Sequence, residues 1–136
     1  MAQIETRGLT RTFGDVRAVD GVDLVVRPGG LTGFVGGNGA GKTTTMRMVM
    51  GVLRPDAGQV LWGDRPMTAA DRQRFGYMPE ERGLYPKQKV ADQLAYLGQL
   101  SGMSSAAARS AVTEHLELFS LGDRAGERVE ALSLGN

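Results

Sequence analysis

The run Gly36-Gly37-Asn38-Gly39-Ala40-Gly41-Lys42-Thr43 constrains this chain more than any other feature. It satisfies the pattern G-x-x-x-x-G-K-[ST] at every fixed position. Before it, residues 31–35 (LTGFV) form a short apolar run suited to a buried parallel strand. After it, Met46, Val49, Met50 and Leu53 recur at i, i+3, i+4 and i+7, the spacing of an amphipathic helix. Strand, glycine-rich turn and helix in that order form a cradle for phosphate. Glycines let successive backbone N–H groups point inward with no Cβ in the way, and the N-terminus of the following helix favours the same anion. Lys42 would reach the β- and γ-phosphates, and the Thr43 hydroxyl would ligate Mg²⁺. A glycine turn that merely caps a helix would need neither the lysine nor the flanking strand. The expected ligand is a nucleoside triphosphate.

Composition narrows the class further. Glycine is 20 of 136 residues, clustered rather than periodic, which excludes a collagen-like repeat. With no cysteine there is no disulfide framework, thiolate metal site or cysteine nucleophile. A formal net charge of +1 gives no electrostatic case for nucleic acid as a partner. No signal peptide is visible, and no apolar run approaches the roughly 18 residues of a membrane span. A cytosolic chain is expected.

Val22, Leu24 and Val26 alternate at period two and predict a half-buried strand. Residues 54–58 (RPDAG) read as a turn, residues 59–62 and 75–78 as strands, and Thr68 as the cap of a short helical piece between them. Composition shifts near Pro86. Val90, Leu94, Leu97 and Leu100 then share one helical face, and a second helix capped by Ser104 is expected to bury Val112, Leu116 and Phe119 before stopping near Gly122.

Taken together, these motifs resemble the ATP-binding domain of ABC transporters, nearly from end to end. The loop GGNGAGKTTT is similar to that family's Walker A, with Gly36, Asn38, Gly39, Ala40, Gly41, Lys42, Thr43 and Thr44 as the nucleotide-binding positions. Phe13 stands where the family places an aromatic that stacks on adenine; the plainer alternative is an ordinary strand aromatic. Glu80 falls at the Q-loop position, and the closing LSLGN resembles the signature motif, usually LSGGQ, with Ser133 and Gly135 at family positions and Leu134 and Asn136 departing. The run 79–85 (PEERGLY) resembles a bacterial subgroup linked to sodium and drug exporters.

The resemblance implies an α/β fold: a P-loop NTPase core with an antiparallel β-subdomain over residues 1–85, and a partial helical ABC subdomain over 86–136 that ends in the signature. It implies ATP and Mg²⁺ as cofactors, with Thr43 and Glu80 as metal contacts. A carboxylate supplies an oxygen ligand for Mg²⁺, but the glutamine usual at that position also donates a neutral hydrogen bond, which Glu80 loses. A solvated loop residue is the alternative reading of Glu80. The family's second acidic motif, with its catalytic Glu, and its switch histidine have no counterpart, so the C-terminal part of the domain is expected to be missing and these residues to bind ATP without hydrolysing it. Glu80 or Glu81 as a substitute base has no motif support. His115 lies on the second predicted helix, before the signature, and reads as an ordinary helix residue. Strands left without neighbours would make such a piece marginally stable or self-associating.

For the parent protein the resemblance implies an ATPase subunit coupled to export. Two ATP-binding domains, as a homodimer or heterodimer, would sandwich two ATPs between each loop 36–44 and the partner's Ser133 and Gly135. Transmembrane subunits would hold the pair at the inner face of the membrane. A non-transport ABC-type ATPase shares these motifs, and a short nucleotide-binding module without hydrolysis is a further alternative. A P-loop kinase fits less well, because no catalytic Asp or Arg lid motif accompanies the strand-rich N-terminal stretch.

Overall fold

In the computed structural model, which describes residues 2–79 and 83–132, the chain divides into two compact units, Met1–Tyr77 and Met78–Asn136. In the first, Thr, Val and Leu alternate with polar residues and form two long strands, β1 (Ile4–Phe13) and β2 (Val16–Val26), joined by a two-residue turn at Gly14 and Asp15. They pair antiparallel from Ile4 opposite Val26 to Phe13 opposite Val16. The outer edge of β1 takes β3 (Ala57–Trp62), and β4 (Arg65–Pro66) closes the order β2-β1-β3-β4, antiparallel throughout. Helix α1 (Lys42–Val49) lays Met48 and Val49 onto Leu9, Val19, Val60 and Met67, with Leu53, Trp62 and Phe75 packed around them. The short helix α2 (Ala69–Arg72) begins in a full capping box between Thr68 and Asp71, and Arg72 donates to the Val49 carbonyl at 3.0 Å, tying α2 to the end of α1.

In the second unit, α3 (Val90–Leu100) and α4 (Ser105–Leu118) pack around Val90, Leu116 and Val129. The Ser104 hydroxyl caps α4 by accepting from the Ala107 N–H at 3.2 Å. Gly98 lets the two helices approach: a Cβ there would lie 3.2 Å from that of Ala108. The following chain is sewn onto the start of α3 by Val90 N–H to the Glu127 carbonyl and Val129 N–H to the Gln88 carbonyl.

The period-two strand, the strand ending at Trp62 and the caps at Thr68 and Ser104 form as expected. Several expectations do not. Residues 31–35 and 75–78 form no strand. A parallel strand exists only through ladder partners on neighbouring strands, and no described strand pairs with either segment. Leu31 and Val35 are consequently almost fully exposed, while Phe75 is held by Trp62 at a 5.0 Å ring separation rather than by a sheet. Helix α1 ends at Val49, and Leu53 reaches the core from the loop beyond it. Phe119, expected in the core, lies past the last turn of α4 and is 68% exposed; Leu97 and Leu100 also face outward. On α3 the first half of the expected face holds, with Val90 buried and Leu94 packed on the same cluster, while Gln93 and Ala95 are buried beside them.

Candidate functional site

The glycine-rich segment leads directly into α1, and its shape follows from where it touches the sheet. Gly41, the residue before the helix, has φ +79 and sits against β2 so closely that a Cβ would collide with the Ala18 carbonyl oxygen and lie 3.0 Å from Val19 Cγ2. Gly39 also has positive φ, +80, with open space around it. Between them the loop turns tightly, the Ala40 N–H donating to the Gly37 carbonyl at 3.2 Å. Only glycine meets both demands at position 41, left-handed backbone and contact with another backbone.

Lys42 opens the helix, and its ammonium curls back over the loop, donating to the Gly36 carbonyl at 2.6 Å and the Gly37 carbonyl at 2.7 Å. The helix start has no side-chain cap and no acidic residue in its first turn; its first internal bond is from Thr45 N–H to the Gly41 carbonyl at 2.8 Å. An ammonium group and an uncapped helix N-terminus thus meet at one loop, an arrangement complementary to an anion. Thr43 is exposed, Thr44 half-buried, and Thr45 is turned into the core with its hydroxyl buried and unpaired among the described residues. Asn38 and Ala40 are exposed on the loop. No cluster of three or more His, Asp or Glu that could hold a metal occurs among the described residues. The exposed Thr43 hydroxyl is an oxygen donor of the kind Mg²⁺ takes.

Phe13 closes β1 opposite Val16 and is half exposed. Gly41 abuts β2 at Ala18 and Val19, two and three residues beyond Val16, so the ring and the loop are separated by roughly 7–10 Å of strand. That proximity brings together two features far apart in sequence. The sequence pattern did not reveal what surrounds the ring: the Arg11 guanidinium lies 5.0 Å from its centroid, and Asp56 anchors that guanidinium at 2.6 Å. The turn signal at residues 54–58 marked Asp56 only as a bend.

Glu80 and Glu81, and Ser133 and Gly135 of the signature, lie outside the described residues. His115 is exposed on α4, its Nδ1 2.7 Å from the Ala111 carbonyl one turn earlier, as expected of an ordinary helix residue. No helix among the described residues is long and apolar enough to cross a membrane.

Comparison with known proteins identifies the family. The family described as ABC transporter matches residues 19–136. An uncharacterized ABC transporter ATP-binding protein of Bacillus subtilis (strain 168), YhaQ, is 48% identical over 128 residues, covering 94% of this chain and 43% of that protein. The Nod factor export ATP-binding protein I of Paraburkholderia xenovorans (strain LB400) is 38% identical over 98% of this chain and 45% of its own length. The chain thus spans less than half the length of these relatives. Among solved structures, a nucleotide-free ATP-binding cassette from an ABC transporter superposes with a TM-score of 0.76 at 24% identity, covering 98% of this chain and 60% of that one. The cbiO1 protein of Clostridium perfringens gives 0.75 at 20% identity, over 97% and 56%. Both share the fold.

Proposed function

The chain belongs to the ATP-binding domains of the ABC transporter family, and from that premise we propose that it carries the phosphate-holding half of the ATP site of an exporter's ATPase subunit. The observation that carries this reading is the Lys42 ammonium seated on the Gly36 and Gly37 carbonyls beside the uncapped start of α1. In the nucleotide-bound state Lys42 exchanges those carbonyls for phosphate oxygens, the loop glycines and Ala40 present N–H groups, and Thr43 and Thr44 supply hydroxyls. Bound Mg²⁺ supplies charge neutralisation at the phosphates, with Thr43 and Glu80 as its protein contacts. Phe13 takes the adenine. Residues 1–85 form the nucleotide-binding part and 86–136 the helical subdomain, whose Ser133 and Gly135 face the nucleotide of a second ATP-binding domain.

The parent protein, on this reading, is an ATPase that works at the cytoplasmic face of the membrane with transmembrane partners. Export is favoured because a relative's name specifies export of Nod factor, as does the resemblance of residues 79–85 to exporters. Hydrolysis needs a group that positions or deprotonates water in addition to the phosphate cradle.

Calorimetric titration of Mg-ATP into the chain and into Lys42→Ala tests the site. Loss of one charge-assisted phosphate contact costs roughly 1.5–3 kcal/mol, about ten- to hundredfold in affinity. Equal affinity in the two proteins would remove the proposal.

A further inference from the structure

A phenyl ring at the end of a strand makes a stacking platform only when something fixes its plane. Here four hydrogen bonds from the turn before β3 fix the end of β1 and the guanidinium that lies on the ring. The Asp56 N–H donates to the Thr10 carbonyl at 2.9 Å. The Asp56 carboxylate then accepts from the Thr12 N–H at 2.7 Å and, through its other oxygen, from Arg11 Nη1 at 2.6 Å. Arg11 Nη1 also donates to the Arg54 carbonyl at 3.2 Å. Arg11 and Phe13 stand two apart on one strand and so share a face, and the anchored guanidinium lies over the ring at 5.0 Å. Arg11 Nε is buried with no hydrogen-bond partner among the described residues. An arginine serving only as a surface ion pair would keep that N–H in water; here the guanidinium is drawn down against the ring.

We infer that Arg11 is a positioning residue for the nucleotide base: clamped by Asp56 and the Arg54 carbonyl, it covers one face of Phe13 and leaves the opposite face to stack on a purine. This inference rests on the nucleotide-site reading above and deepens it. Phe13 is half exposed, so the ring keeps surface for a ligand after Arg11 has covered its share. A cation on one face withdraws π-density from the ring, which improves its attraction for an electron-rich purine on the other. The clamp also orders the ring before the ligand arrives, so less side-chain freedom is lost on binding. The Arg54-Pro55-Asp56 turn thereby becomes part of base recognition, although it touches no phosphate.

The test compares Mg-ATP with inorganic Mg-tripolyphosphate, which carries the phosphates without the base, on the same chain. Arg11→Met keeps the length of the side chain and removes the cation. It is expected to weaken ATP by about two- to fivefold and leave tripolyphosphate unchanged, and Arg11→Lys is expected to recover part of the loss. A purely structural clamp would weaken both ligands in proportion, and that result, or no change in either, overturns the inference. Asp56→Asn provides a second route should Arg11→Met fail to melt cooperatively by circular dichroism. It releases the guanidinium, and the same ratio of affinities must shift in the same direction. Lys42→Ala separates the two levels. If it weakens both ligands while Arg11→Met leaves their ratio untouched, only the role of Arg11 falls. If Lys42→Ala leaves both unchanged, the phosphate-site reading falls and takes this one with it.

Discussion

Gly39 and Gly41 offer a matched pair of perturbations, because they share a backbone conformation and differ in surroundings. Both have φ near +80, yet a Cβ on Gly39 meets nothing within 4 Å, whereas one on Gly41 meets the Ala18 carbonyl oxygen and Val19. Alanine at either position is forced into left-handed backbone, at about 1–2 kcal/mol. At Gly41 the added methyl must also push the loop off β2, an overpacking cost of about 1–3 kcal/mol. The sums are about 1–2 kcal/mol for Gly39→Ala and about 2–5 kcal/mol for Gly41→Ala. With a urea slope near 2 kcal/mol/M, the midpoints should fall by about 0.5–1 M and about 1–2.5 M respectively. Equilibrium urea unfolding followed by far-UV circular dichroism measures both. Because the displaced segment in Gly41→Ala carries Lys42, its ATP affinity should fall as well, whereas Gly39→Ala should bind more nearly as the parent does. Equal midpoints for the two variants would refute the reasoning: the contact between the loop and Ala18 would then not be what fixes the start of α1.

Asp71 accepts from Arg65, then from the Thr68 hydroxyl and the Thr68 N–H, and these contacts hold its carboxyl well below the ordinary carboxylate range. A carboxylate with a depressed folded pKa contributes stability above its unfolded value, near 3.9, and that contribution is lost as pH falls through the folded value. Melting temperature should therefore drop in acid below about pH 4, and Asp71→Asn should flatten that limb while lowering the plateau at neutral pH; an unchanged acid limb would refute the assignment. Ser104→Ala removes the cap of α4 and should cost about 1 kcal/mol, read as a lower urea midpoint for the helical unit. Gly98→Leu drives a side chain into Ala108 and Met103 and should cost about 1–3 kcal/mol, whereas Gly98→Ala should be close to neutral because the gain in helix propensity offsets the tighter contact.

Local chemistry was readable where it is self-contained. The strand with Val22, Leu24 and Val26 inward and the caps at Thr68 and Ser104 depend on a few adjacent residues, and all take the expected form. Features that depend on distant partners were not readable. The segment 31–35 has a strand's composition but no described strand to pair with, so Leu31 and Val35 stay exposed. The apolar stripe on α3 obeys helical period, yet only its first half, Val90 and Leu94, finds packing partners, while Leu97 and Leu100 stay exposed. Arg11 and Asp56 are 45 residues apart and carry no motif, so nothing in the pattern of residues announced the clamp on Phe13.

The placement of the loop also explains why the antiparallel sheet matters to a phosphate site that contains none of its side chains. A glycine-rich loop is entropically costly to order, and here the cost is offset by what the loop leans on. Gly41 is pinned by the backbone of β2, α1 is pinned by Met48 and Val49 in the sheet's core, and Arg72 holds the far end of the helix through the Val49 carbonyl. The base platform is set by the same sheet, since Phe13 ends β1 and Asp56 enters β3. Phosphate loop and ring are therefore referenced to one sheet, and their spacing is set by two or three residues of β2 rather than by the irregular segment 27–35 that leads into the loop. Changes within that segment that spare the glycine-rich motif, such as Thr32→Ser, should leave ATP affinity within about twofold, since surface substitutions usually cost under 0.5 kcal/mol. A substitution at Ala18 that shifts the β2 backbone should disturb base and phosphate contacts together, and independent responses of the two would contradict a shared frame.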